Sequence, residues 1–276
     1  MRISAVLWRS THPGPTLVVT AIALGLGLSA GLGPVRLAVL VAAVFAGQVS
    51  IGLSNDAIDA PRDRLAGRPD KPLAPPGAPL RAAWTAAGLS AVVAVVLSAA
   101  LGWQLAAAHI AFVGAGWAYN AGVKSTAWSA LCFAVGFGIL PSLAPLALAD
   151  PRPAPTWAWI AGACLGLAVH FSNVLPDLDD DARTGVRGLP HRFGRRWSAV
   201  SAFAALVAGA AVVATGPPAG DPGVAALRGL GFLTVAGIAA WGLVASTRGA
   251  PSRRGFRLVM IASLVLVLQL VLTGEI

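Results

Sequence analysis

Apolar runs of nearly constant length, separated by short polar connections, set the pattern of this chain. Read as helices, the runs fall at about residues 14–32, 35–54, 80–101, 104–120, 126–147, 156–175, 197–215, 226–246 and 256–273. Each is close to the ~20 residues that a helix needs to cross the hydrocarbon layer of a bilayer. The ten-residue alternating segments of a membrane β-barrel do not occur. The pattern therefore predicts an all-α integral membrane protein of about nine transmembrane helices. The first run has membrane length and eight more follow it, so it reads as a helix and not as a cleaved leader.

Composition agrees with placement in lipid. The chain is 57% hydrophobic and 11% charged, against about a quarter charged residues in soluble domains. Its net charge of +9 would suggest nucleic acid in a soluble protein, but here the placement of that charge argues topology. With a cytoplasmic N-terminus, nine spans leave only Arg36, Arg152 and Arg228 on the far side and the other seventeen of twenty basic residues inside, as the positive-inside rule expects. The expected location is the cell membrane, multi-pass, with the N-terminus and the acidic loops cytoplasmic and no nucleic-acid partner. No low-complexity tail or long linker divides the chain, so residues 1–276 read as one domain. Cys132 and Cys164 fall inside predicted spans and read as small packing residues.

Against this apolar background the acidic residues are concentrated. Eight of the eleven lie in two stretches, "NDAIDAPRDRLAGRPDKPLA" (55–74) and "SNVLPDLDDDARTGVRGLPHRFGRR" (172–196). A shift of 118 residues superimposes Ser54 on Ser172, Asn55 on Asn173, Asp59 on Asp177, Asp63 on Asp181, Gly67 on Gly185 and Pro72 on Pro190. One copy follows the second predicted span and the other the sixth. Repetition on this scale implies two similar helical halves facing each other.

Within each copy N-x-x-x-D-x-x-x-D has the spacing of one helical face, so each copy presents a polar stripe as its helix leaves the membrane. Carboxylates so close repel one another unless something neutralises them. Oxygen donors favour hard cations, above all Mg²⁺, which normally shares its shell among a few carboxylates, waters and a phosphate. Arg62, Arg64, Lys71 and Arg187 flank the stripes and offer partners for phosphate oxygens. The combination points to a metal–diphosphate site and not to solvated loop ends. A diphosphate at the membrane surface above an apolar interior describes a polyprenyl diphosphate. His170 lies three residues before Asn173 on the same face. It reads as a hydrogen-bonded packing histidine, or alternatively as a contact or base for an acceptor. Arg248, Arg253, Arg254 and Arg257 read as a topology signal or an anionic-lipid contact.

The two acidic stretches resemble the Asp-rich signatures of the UbiA superfamily of intramembrane prenyltransferases. The first, ending at Lys71-Pro72-Leu73, is similar to that family's N-D-x-x-D-x-x-x-D pattern. The second is similar to the N-x-x-x-D-x-x-x-D-x-x-x-G-x-R-x-L-P form of menaquinone- and chlorophyll-type members. The resemblance implies a central cavity in the helical bundle, Mg²⁺ as cofactor, and transfer of a prenyl chain from a polyprenyl diphosphate to a lipophilic or aromatic acceptor. An aromatic quinone-type precursor is the expected acceptor. By motif matching, Asn55, Asp59, Asp63, Asn173, Asp177 and Asp181 would be the catalytic metal ligands. Asp56 completes the N-D pair, and Lys124 in "YNAGVKS" resembles the base that the family uses on diphosphate. Tyr119 and Asn120 would line the cavity near the reacting carbon, and His12 belongs to a polar N-terminal stretch that would touch a head group.

Two residues depart from the family pattern. Pro61 lies between motif aspartates, and Pro176 stands where a base is common and would kink its helix. The same fold would suit a terpene cyclase acting on the diphosphate without an acceptor. A divalent-cation transporter would instead carry its acids near the bilayer midplane.

Overall fold

The structure is a computed structural model that describes residues 2–68, 70–183, 185–216, 221–248 and 253–273. Among the described residues all regular structure is helical: α1 (Ile3–Ser10), α2 (Pro13–Ser29), α3 (Pro34–Leu65), α4 (Leu80–Leu101), α5 (Trp103–Asn120), α6 (Ser129–Leu143), α7 (Thr156–Val174), α8 (Leu178–Arg183), α9 (Leu189–Thr215), α10 (Pro222–Arg248) and α11 (Arg254–Thr273). Prolines open α2, α3 and α10 at the first turn, where a missing N–H costs nothing. Each of the nine apolar runs coincides with one of these helices. Six are long and apolar enough to cross a bilayer singly, and the α1–α2 pair, bent by 61°, makes a seventh. The other two differ: α6 has only 15 residues, and α5 is diluted by Gln104, His109 and Asn120.

The helices form a ring. The long α3 packs on α2, α4 and α5, while α7 packs on α6, α9 and α11, and a contact between α2 and α11 closes the circuit. Within lipid there is no hydrophobic drive between helices, so the close approach rests on small residues such as the alanines that fill the buried faces. The two helices that carry the repeated motif, α3 and α7, thus sit in equivalent places in the two halves.

The repeat is also visible in how the motif ends. Gly67 and Gly185 both take left-handed backbone, with φ of 63° and 85°. After Gly67, the Arg68 N–H donates to the Asp63 carbonyl at 3.0 Å and the Gly67 N–H to Arg64. After Gly185, the Val186 N–H donates to the Asp181 carbonyl at 2.9 Å and the Gly185 N–H to Ala182. Both are Schellman caps, in which glycine supplies the positive φ that closes the last carbonyls. The repeated D-x-x-x-G is therefore a helix terminus bearing a carboxylate on its last full turn.

The prolines act differently in the two copies. Pro61 lies inside α3, which runs on to Leu65. Pro176 ends α7: residues Leu175–Asp177 tighten into a turn of 3₁₀ helix before α8 begins. The second stripe is consequently not one straight α-helical face. Asn173 lies in the last turn of α7, Asp177 sits in the 3₁₀ turn and Asp181 in α8.

Candidate functional site

The two acidic stripes meet at the mouth of one cavity, walled by α2, α3, α5, α6 and α7. Its inner surface is apolar and aromatic, with Ile51, Phe112, Phe133, Phe137 and Val169 on it. Tyr119 meets Phe133 edge-on at a centroid distance of 4.9 Å and His170 edge-on at 5.7 Å. His170 is fully buried, and its Nε2 pairs with Ser129 Oγ at 3.1 Å. Ser129 Oγ also accepts the Leu189 N–H at 2.9 Å. His170 thus has the packing bond and also borders the cavity.

At the mouth, the first stripe is already engaged by bases. Lys124, carried by the connection between α5 and α6, donates to Asp59 Oδ1, and Arg62 Nη2 lies 3.1 Å from Asp59 Oδ2. Asp63 is 4.0 Å from Arg62, and its Oδ2 is buried without a hydrogen-bond partner. Asp56 is not part of the wall. It is 2% exposed and receives Lys71 Nζ at 3.0 Å and His12 Nε2 at 2.9 Å on the same oxygen.

In the second stripe, Asp177 is served by bases from outside its own loop. Arg68, just past the Gly67 cap, reaches Asp177 Oδ1 at 3.4 Å, and Arg253, ahead of α11, reaches Asp177 Oδ2 at 3.5 Å. Asp181 Oδ2 is 3.8 Å from His191 Nε2.

Of the residues singled out in the sequence, Asn55, Asp59, Asp63, Asn173, Asp177 and Asp181 all border the cavity, with Arg62, Lys71, Tyr119, Asn120, Lys124 and His170. Asn120 does so with its amide committed to Ile51 O and Ser54 Oγ, both at 2.9 Å, tying α5 to α3. Arg64 does not border it. One residue past Asp63, it points off the stripe and holds the carbonyls of Ala74 and Pro75 at 2.8 and 3.5 Å. Arg187 is exposed and also outside the wall. Arg68, His191 and Arg253 had no place in the sequence-based site. The signal for Arg68 was the glycine before it, since a Schellman cap turns the chain back over its own helix. Arg253 was hidden in a basic cluster that topology alone explains.

The charges at the mouth tune one another. Burial opposes the charge of Lys71, but Asp56, Asp63 and Asp59 outweigh it and hold the lysine above its ordinary value. For Lys124 burial wins over Asp59, so its pKa is lowered. Two hydrogen bonds from Arg68 keep Asp70 below the usual carboxylate range. Burial pushes Asp181 up to about 6, with Asp177 and Asp59 adding to it against Arg62 and Arg68.

Among the described residues no three His, Cys, Asp or Glu side chains converge closely enough to enclose a metal ion alone. Oxygen donors do face the mouth, one of them the unpartnered Asp63 Oδ2. Such a set fits Mg²⁺, which is held by one or two carboxylates plus substrate phosphate and water, and not by an all-protein cage.

The profile of the UbiA prenyltransferase family matches residues 15–265. The chain belongs to the UbiA prenyltransferase family. Solved members share this fold across nearly their whole length. A UbiA homologue from Archaeoglobus fulgidus bound to GPP and Mg²⁺ superimposes with a TM-score of 0.78 at 14% identity, covering 98% of both chains. An apo UbiA homologue from Aeropyrum pernix K1 gives 0.74 at 15% identity over 99% of this chain and 98% of that one. A digeranylgeranylglyceryl phosphate synthase gives 0.71 at 13% identity over 99% of each. No curated protein sequence matches the chain significantly. As a UbiA-family protein with several membrane-crossing helices, it is a multi-pass membrane protein.

Proposed function

We propose that this protein is a Mg²⁺-dependent prenyltransferase that moves a prenyl chain from a polyprenyl diphosphate to a lipophilic acceptor, an aromatic quinone-type precursor, and releases diphosphate. The observation that carries this reading is the meeting of two registered acidic stripes, with bases between them, over one apolar cavity. In this reading the diphosphate lies between Lys124 and Arg62 on one side and Arg68, Lys71 and Arg253 on the other. Asn55, Asp59, Asp63, Asn173, Asp177 and Asp181 would hold Mg²⁺, which would neutralise the diphosphate and the charge that develops on it as it departs. The bases now paired with Asp59 and Asp177 would turn to the phosphate oxygens, to which they donate charge-assisted bonds.

The apolar wall keeps water from the allylic carbon, so that the acceptor captures it. Tyr119 and Phe133 present aromatic rings to the developing cation. The mouth faces the cytoplasm in this reading, because the flanking loops carry most of the basic residues. The Archaeoglobus fulgidus homologue bound to GPP and Mg²⁺ supports the substrate class.

The aromatic wall would equally serve a cyclase, in which the cation attacks its own chain. The deciding experiment supplies purified protein in nanodiscs with geranyl diphosphate and Mg²⁺, with and without hydroxybenzoate, dihydroxynaphthoate or homogentisate. Transfer gives an alkylated acceptor and diphosphate; a terpene formed equally without acceptor indicates cyclisation. Undiminished diphosphate release by Asp59→Ala would overturn the assigned site.

A further inference from the structure

Where the α1–α2 elbow meets α3, the protein holds a buried carboxylate paired with a histidine. His12 has left-handed backbone, φ 54° and ψ 67°, the one non-glycine residue with positive φ among the described residues. Its position before Pro13 restricts it further, and strain of this kind persists only where the surroundings enforce it. Here they do. The elbow sits so close to α3 that a Cβ at Gly52 would strike the Thr11 carbonyl. Thr16 Oγ1 donates to Thr11 O at 2.7 Å, and the Thr16 N–H donates to His12 O at 3.1 Å.

The enforced geometry puts His12 Nε2 2.9 Å from Asp56 Oδ1. Asp56 is 2% exposed, and Lys71 Nζ reaches the same oxygen at 3.0 Å. An ionised carboxylate only accepts, so Nε2 carries the hydrogen, and the lone pair that a base would use falls to Nδ1. His12 borders the cavity, as Asn55 does, and a third of its side chain is open. Three histidines border this cavity: His12, His170 and His191. His170 is spent on Ser129, and His191 is 3.8 Å from Asp181, beyond hydrogen-bond reach. His12 alone among them has an orienting carboxylate.

We propose that His12 is the general base that takes the proton released when the acceptor is alkylated, with Asp56 and Lys71 as its positioning residues. The proposal rests on the prenyl-transfer reading. A bond forms between the acceptor's oxygen or ring carbon and C1 of the prenyl chain. The C1–O bond breaks, and its electron pair leaves with diphosphate. The acceptor's proton passes to His12 Nδ1, and the resulting imidazolium is stabilised by Asp56. A base held by a buried carboxylate is the arrangement that general-base catalysis uses elsewhere.

The competing explanation is a pin that only fixes the elbow. His12→Gln separates the two, because glutamine keeps a donor for Asp56 but has no basic nitrogen. The assay uses geranyl diphosphate, Mg²⁺ and whichever of hydroxybenzoate, dihydroxynaphthoate or homogentisate the wild type alkylates. In His12→Gln, geranyl diphosphate affinity stays within about threefold while alkylated product falls about 100-fold or more, geraniol appearing in its place. In His12→Gly, added imidazole restores product. Full product rate in His12→Gln, loss of geranyl diphosphate binding, or failure of imidazole rescue each overturns the base role. A wild type that consumes geranyl diphosphate but alkylates no acceptor overturns it too, while leaving the diphosphate chemistry intact. A wild type that neither binds nor consumes geranyl diphosphate overturns the prenyl-transfer reading itself.

Discussion

Arg68 grips Asp70 with two bonds of 3.0 Å and, with the same Nη2, reaches Asp177 in the other half of the molecule at 3.4 Å. One guanidinium thereby joins the two acidic copies across the cavity mouth, and Asp70 fixes its plane. Such a fork is preorganised for two phosphate oxygens, which a lysine's point charge is not. Arg68→Ala should raise the KM for geranyl diphosphate by about tenfold or more, the loss of one charge-assisted contact. Arg68→Lys should recover only part of this. Arg64→Ala is the control: Arg64 braces the Ala74 and Pro75 carbonyls, so KM should hold while the melting temperature falls. An unchanged KM in Arg68→Ala would remove Arg68 from the site.

Lys124 supplies the second test. It is bonded to Asp59, and burial lowers its pKa. A lysine with lowered pKa loses its proton earlier as pH rises than an exposed one. If its charge holds the departing diphosphate, activity should decline on the alkaline side before ordinary lysines titrate. Lys124→Arg stays charged throughout, so its alkaline limb should move to higher pH even if kcat drops. Lys124→Met should lose about 100-fold or more in kcat, the scale of removing one charge-stabilising donor. Identical alkaline limbs in the wild type and Lys124→Arg would assign that limb to another group.

Much of this molecule was legible in its sequence because two independent periods agree. Membrane thickness fixes the length of the apolar runs, and the 118-residue repeat fixes which helix ends face each other. Local spacing was a weaker guide wherever the backbone leaves the ideal helix. The i, i+4, i+8 rule holds along α3 despite Pro61, but Pro176 turns the second copy into α, 3₁₀ and α segments. Sequence proximity was also a weak guide to which bases border the cavity. Arg64 and Arg187 lie near the acids along the chain but outside the cavity wall, whereas Arg253 meets Asp177 from 76 residues away. Contacts of that range follow from how the ring closes, which composition does not encode.

The paired caps offer a test of the two-fold plan. Gly67 and Gly185 each supply the positive φ of a Schellman cap that closes on the carbonyl of the last motif aspartate. A Cβ at either position meets no neighbour, so alanine is penalised by backbone conformation alone, about 1 kcal/mol for a non-glycine residue in left-handed backbone. Gly67→Ala and Gly185→Ala should therefore cost similar stability, and the double variant about the sum, since the caps share no contact. Thermal unfolding in detergent reads this directly. A marked inequality between the two would show that the halves are not equivalently capped.

The last test concerns competition between protons and metal. Asp181 titrates at about 6 because burial, Asp177 and Asp59 disfavour its charge more than Arg62 and Arg68 favour it. A carboxylate must be ionised to hold Mg²⁺, so below that pH each proton bound is a ligand lost. Simple competition weakens apparent Mg²⁺ affinity about twofold at pH 6 and about tenfold at pH 5 relative to pH 8. The quantity to follow is the Mg²⁺ concentration for half-maximal diphosphate release from geranyl diphosphate, corrected for protonation of the diphosphate itself. In Asp181→Asn, which has no proton to bind in this range, the requirement should be higher at pH 8 and should rise less steeply as pH falls. Parallel curves for the two proteins would show that Asp181 does not bind the metal.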